Sequence, residues 1–197
     1  MKRRIISLLL AAALTFALAS GCFAANYSNW FQSTYDEIHR LENLKNCTIL
    51  PKEFESMDLK QNITRAEMCL LAVQAFEAAT GNDIELDNTQ YFTDTNDENI
   101  IKAYEYGIVS GYPDGTFRPD QLITRQEFFK LAENFCAAAA YKPASALVDT
   151  KIDQFRDASS ISNWARDAAQ FCVSNSYVNG TKDESGSLVQ MRPARKP

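Results

Sequence analysis

Behind an apolar N-terminal stretch, apolar residues recur at intervals of three and four in separate blocks, the period of amphipathic helices. Three blocks, at 35–46, 97–106 and 161–176, predict helices. In the last of them Trp164, Ala168, Phe171 and Cys172 form a stripe that favours the core for Trp164, with stacking on a sugar ring as its other use. Two further helices start at Asn62-Ile63-Thr64-Arg65-Ala66-Glu67 and at Leu122-Ile123-Thr124-Arg125-Gln126-Glu127, which lie 60 residues apart. The match continues at that offset: Met68 with Phe128, Leu71 with Leu131, Ala72 with Ala132 and Ala79 with Ala139. Upstream, Phe92-Thr93-Asp94-Thr95 is echoed by Phe155-Arg156-Asp157-Ala158, and more weakly by Phe31-Gln32-Ser33-Thr34.

The repeating unit is therefore helix, structured loop, helix. Gly107, Gly111 and Gly180 lie near helix ends, where a positive φ terminates a helix at little cost. In the second unit the loop runs from Ser110 to Asp120. Pro113-Asp114-Gly115 supplies a turn, and Phe117 is placed to plug the core. In the first unit 51–56 carries Pro-Lys-Glu-Phe-Glu-Ser instead, so that loop takes another path. The third unit repeats the Phe-Arg-Pro of the second as Met191-Arg192-Pro193 but has no Thr-Arg-x-Glu helix, and is either degenerate or cut short. A single helix pair cannot bury its own apolar side, so the units are expected to share one core. The boundaries are 25–80 for the first unit, 81–140 for the second with its leading linker, and 141–197 for the third. The fold class is mainly α.

Composition changes the picture in one respect, the compartment. Lys2, Arg3 and Arg4 precede an apolar run from Ile5 to Leu18 and then small residues, the pattern of a secretory signal peptide over 1–24. That run is shorter than the roughly 20 residues a membrane-spanning helix needs. Cleavage after Ala24 is expected, with lipidation of Cys22 in Ala19-Ser20-Gly21-Cys22 as the other route. Without the three signal-peptide cations, 17 basic residues face 25 acidic ones, a formal charge of −8. Such a surface does not favour nucleic acid. Cys47, Cys69, Cys136 and Cys172 show no paired spacing; they fit core thiols, and an exported chain also permits one or two bridges.

Chemistry concentrates at the two helix starts. Thr64 with Glu67, and Thr124 with Glu127, are capping boxes. Arg65 and Arg125 occupy the first helical position, where the helix dipole disfavours a cation. Two explanations stand side by side. The arginines and free helix-start amides receive a carboxylate or phosphate, or the arginines pair with acids of a neighbouring unit such as Asp94 or Asp157. Arg118 lies beside the same start, and Tyr112 reads as exposed and suited to stack on a sugar. No nucleophile or zinc-protease motif is present, His39 is the sole histidine, and Asp114 and Asp120 lack the spacing of a calcium loop. Neither catalysis nor a metal or cofactor is expected.

Taken together, Phe92-Thr93-Asp94, Gly111-Tyr112-Pro113-Asp114-Gly115-Thr116-Phe117-Arg118-Pro119 and Ile123-Thr124-Arg125-Gln126-Glu127 resemble a repeat of the S-layer homology family. The resemblance implies a pseudo-threefold arrangement around a central helical bundle, with ligand grooves between lobes. It implies noncovalent attachment to a bacterial wall or S-layer surface by binding a secondary cell-wall polysaccharide on peptidoglycan, through a pyruvate ketal or another acidic substituent. It maps the ligand arginine onto Arg65 and Arg125, and the groove loop onto Ser110, Gly111 and Tyr112. The first unit departs from the family at Ser33 and in its loop, and the third lacks the second-helix element. One complete groove, built around Arg125, is the expectation. The alternative is a surface module whose degenerate grooves bind protein instead of sugar.

Overall fold

A computed structural model describes residues 32–55, 57–58, 61–86, 89–140, 152–175, 177–178, 181–182 and 188–190. The expected signal peptide over 1–24, with Cys22, and also Gly180 and Met191-Arg192-Pro193 lie outside the described residues. The described elements are α1 (Gln32–Lys45), α2 (Lys52–Glu55), α3 (Arg65–Thr80), α4 (Glu98–Glu105), α5 (Arg125–Ala138), two 3-10 turns (Ile152–Gln154 and Ala158–Ser160), α6 (Asn163–Ser174), β1 (Thr181–Lys182) and β2 (Leu188–Gln190). The architecture is mainly helical, and the two short strands pair antiparallel.

Both capping boxes form. Thr64 and Thr124 each accept the amide of the glutamate three residues on, while Glu67 and Glu127 accept the Thr64 and Thr124 amides. Asp97 caps α4 by accepting from the Asn99 and Ile100 amides. That helix is followed by Gly107, whose φ of 72° is the left-handed conformation expected there. Gly111, by contrast, has no positive φ, and its lack of a side chain has another cause. Lys52–Glu55 turns the first-unit loop into one helical turn and buries Phe54.

The helices pair out of phase with the sequence repeat. α3, the second helix of the first unit, packs on α4, the first helix of the second; α5 packs in the same way on α6. Burial on α3 explains why. Met68, Leu71, Ala72, Ala75 and Phe76 enter the main core, while Cys69 and Val73 enter a smaller core with Phe92, Ile100, Ala103 and Phe117. A helix buried on opposite sides belongs between neighbours, not at an edge. Its alanines let those neighbours approach closely.

The junction between the first two units is also stitched through the backbone. Thr64 and Leu122 form an antiparallel bridge, and the Ile123 amide donates to the Ile63 carbonyl at 3.1 Å. Cys69, Cys136 and Cys172 are buried and Cys47 is half-buried, all as free thiols. Burial pushes the Cys69 thiol up to about 12 and Cys136 up to about 11.

Candidate functional site

The loop of the second unit is held by its own acids. The Phe117 and Arg118 amides donate to the two carboxylate oxygens of Asp94 at 2.8 and 2.7 Å. Those bonds, the one from Phe117 foremost, hold the Asp94 carboxyl below the usual aspartate range. Asp114 accepts from the Thr116 hydroxyl at 2.6 Å and its amide at 3.0 Å, and from Arg118 Nη2 at 2.8 Å; these bonds lower its pKa to about 2. The Tyr112 amide donates to the Thr116 carbonyl at 2.8 Å, closing the turn around Gly115. Gly111 is required by contact: a Cβ there would stand 2.4 Å from the Phe92 ring and 2.9 Å from the Thr116 carbonyl oxygen.

Arg65 enters this loop from the preceding unit and is only 8% exposed. Its Nε donates to the Phe117 carbonyl at 2.9 Å, Nη1 to Glu127 Oε1 at 2.8 Å and Nη2 to the Ser110 carbonyl at 3.3 Å. The guanidinium carbon lies 4.3 Å from the Phe117 ring centre and 5.0 Å from that of Tyr112. The start of α3 is likewise occupied, since the Arg65 and Ala66 amides donate to the Gln121 and Pro119 carbonyls at 2.8 and 3.0 Å. Free helix-start amides beside a free guanidinium, one of the two explanations drawn from sequence, are therefore not what surrounds Arg65. Its acidic partner is Glu127 and not Asp94, which is engaged by loop amides.

Glu127 divides its two oxygens between tasks. Oε2 accepts from the Thr124 amide and hydroxyl at 2.8 and 2.7 Å, completing the cap. Oε1 accepts from Arg65 and from the Tyr112 hydroxyl at 2.7 Å. Burial by itself raises this carboxyl, but the bonds from Tyr112 and Thr124 with the nearby Arg65 charge outweigh it, and the pKa lies below its ordinary value. Tyr112 is thus half-buried, not exposed as its sequence setting suggested. Its ring is flanked on the other side by the Arg118 guanidinium at 3.9 Å. Arg118 itself takes a positive φ of 60° and pairs with Asp114, outside the cleft described next.

That cleft opens beside Arg65, with a volume of about 280 Å³. Ser110, Gly111, Tyr112 and Phe117 form the loop wall; Glu127, Lys130, Leu131 and Asn134 form a helical wall from one face of α5. Trp164, from the first turn of α6, closes the third side. The stripe reading had placed Trp164 in the core, yet it is 56% exposed. Ala165, Ala168, Ala169, Cys172 and Val173 take the buried face of α6, and Trp164 sits one residue outside it. Lys130 and Asn134 were not singled out as binding positions in the sequence, and for Trp164 stacking on a sugar ring was the less favoured of two readings. The spacing of Glu127, Lys130 and Asn134, three then four residues along one helix, was the signal available.

Arg125 does not line this cleft, although the single expected groove was built around it. The reason is the packing phase: the second-unit loop closes over the start of α3, so the arginine beneath it comes from the first unit. Arg125 is turned instead toward the third unit, where Asp157 partly offsets the burial that lowers its pKa to about 10. Its Nε is buried without a hydrogen-bond partner. Among the described residues no group of histidine, cysteine, aspartate and glutamate side chains is placed to hold a metal ion, and no helix is long and apolar enough to cross a membrane.

Comparison with known proteins connects this geometry to a family. The S-layer homology domain model matches residues 93–129, which span α4, the loop and the first turn of α5. Cell surface glycoprotein 1 of Acetivibrio thermocellus is 29% identical over 132 residues, covering 63% of this chain and 6% of that protein. The cellulosome-anchoring protein of the same organism is 28% identical over 131 residues, covering 64% of this chain and 28% of its own length. An endoglucanase of Bacillus sp. (strain KSM-635) is 29% identical over 126 residues, but only 12% of that enzyme is covered. The chain thus spans less than a third of each of these relatives. No solved structure matches it. The family match, with relatives named as a cell surface glycoprotein and a cellulosome-anchoring protein, supports a role in cell-surface anchoring.

Proposed function

Residues 93–129 of this chain match the S-layer homology domain model, and from that premise we propose that the cleft beside Arg65 grips an acidic glycan of the bacterial wall. The ligand in this reading is a secondary cell-wall polysaccharide carried on peptidoglycan, met at a sugar that bears a pyruvate ketal or another anionic group. The observation that carries the proposal is the cleft itself, a largely apolar hollow that an exposed tryptophan lines together with a few polar groups, among them Ser110, Glu127, Lys130 and Asn134. An indole left half in water is a poor choice for packing and a good one for the apolar face of a sugar ring. The cleft volume is near the small end of ligand sites, about 300 Å³, and suits one substituted ring better than a long stretch of polymer.

Ser110, Gly111 and Tyr112 form the loop side of this grip, Arg65 lies in the wall behind them, and Arg118 backs Tyr112 from outside. Arg125 is assigned a second grip at the junction with the third unit. The test is sedimentation of the purified chain with wall sacculi. The chain is expected to pellet with native sacculi and to stay in solution with sacculi stripped of their secondary polymer. Trp164→Ala is expected to weaken retention about tenfold, or about 1.4 kcal/mol, with the circular dichroism spectrum unchanged. Equal pelleting with stripped sacculi would refute the reading.

A further inference from the structure

We infer that Lys130 is the cation that meets the anionic group of a bound sugar, and that Arg65 is a positioning residue that shapes the cleft wall. The inference rests on the glycan reading above and specifies which side chain supplies its charge.

Arg65 is committed elsewhere. Each of its three nitrogens already donates to the protein, to Phe117, Glu127 and Ser110. Its charge is neutralised by Glu127 at 2.8 Å, and aromatic rings of Phe117 and Tyr112 lie within 5.0 Å of the guanidinium carbon. An arginine so enclosed offers an incoming anion little net field, and breaking its pair to free it leaves Glu127 buried without its counter-charge. What Arg65 does is fix geometry: it holds the Ser110 carbonyl, the Phe117 carbonyl and the Glu127 carboxylate, and Glu127 in turn holds the Tyr112 hydroxyl.

Lys130 has the opposite character. It lines the same cleft from α5, three residues after Glu127, and its side chain is 46% exposed. Its partner is Glu133 at 2.7 Å, an exposed pair three residues along the same helix. Exposed pairs of that kind contribute little, so the amine turns toward a ligand at small cost. Arg118, the other nearby cation, does not line the cleft and is held by Asp114. With Trp164 and the Ser110 backbone lining the same cleft, the combination fits a pyranose presenting one apolar face and one anionic substituent.

The test is titration calorimetry of the purified chain with three probes: a pyranoside bearing a pyruvate ketal, the same pyranoside bearing a phosphate, and the neutral parent. Wild type is expected to favour the anionic probes, and the better of the two identifies the source of the charge. Lys130→Gln is expected to lower affinity for the anionic probes about tenfold, to reduce the salt dependence of binding, and to leave the neutral probe unchanged. Lys130→Arg retains anionic binding. Arg65→Lys is expected to weaken all three probes alike with the salt dependence intact. The inference is overturned if Lys130→Gln titrates like wild type, or if Arg65→Lys loses the anionic preference alone. Binding that is equal for the anionic and neutral probes also overturns it while leaving glycan binding standing; no binding of any probe by wild type removes the glycan reading itself.

Discussion

At the level of single residues, Glu127 and Gly111 are the positions where one atom more or less decides the site. Glu127 caps a helix with one oxygen and anchors Arg65 and Tyr112 with the other. Its folded pKa lies below the unfolded value of 4.5. Its contribution to stability is therefore complete above about pH 4.5, and is lost as pH falls through the lower, folded value. Glu127→Gln is expected to flatten the acid side of the stability–pH curve. At neutral pH it is expected to cost about 1–3 kcal/mol, because a buried arginine loses its counter-charge while an amide still accepts a hydrogen bond. Urea denaturation at pH 4 and pH 7 measures both; an unchanged acid limb would assign the acid sensitivity to other carboxylates. Gly111→Ala places a methyl group 2.4 Å from the Phe92 ring. Overpacking of this kind costs about 1–3 kcal/mol, and thermal melts are expected to show the loss although the backbone at Gly111 suits any residue.

Among elements, the loop from Ser110 to Pro119 is held by acids lying outside the loop as well as by its own turn. Asp94 supplies acceptors for two consecutive amides from 23 and 24 residues upstream. Asp94→Ala leaves those two amides to solvent or unpaired, and is expected to cost about 1–3 kcal/mol. Faster hydrogen exchange at Phe117 and Arg118, with α3 still protected, is the expected signature; uniform acceleration would show that the loop and α3 open together. The sequence made much of this legible. The capping boxes at Thr64 and Thr124 depend on residues three apart, so local spacing reveals them. Phe117 as a plug and the 60-residue repeat are likewise patterns within one chain segment. The partner of Arg65 was not legible, because Asp94 and Glu127 are both acids near a repeat boundary and only the packing phase chooses between them. Trp164 was misread for a related reason: a stripe at three- and four-residue spacing has an edge, and periodicity does not say whether the bulky residue lies inside it. Ala165, one position on, took the buried place.

At the scale of the whole molecule, the repeat that sequence comparison detects is not the unit that packs. Residues 93–129 contain α4 but not its partner α3, and only the start of α5 without its partner α6. Phe92, which closes over Gly111 and Phe117, also falls one residue outside. Ile100, Ala103 and Phe117 are buried against Cys69 and Val73 of α3, so a peptide limited to the matched segment exposes most of its smaller core. Isolated helices shorter than about 12–15 residues are marginal in water, and α4 has 8 residues. A 93–129 peptide is therefore expected to show little helical circular dichroism and no cooperative melt. A fragment over 61–178 retains α3 with α4 and α5 with α6, and is expected to melt in a single transition. A cooperative melt of the 93–129 peptide would show that the loop and its Asp94 bonds suffice to fold a repeat, and would shift the source of stability from interleaved helices to the loop itself.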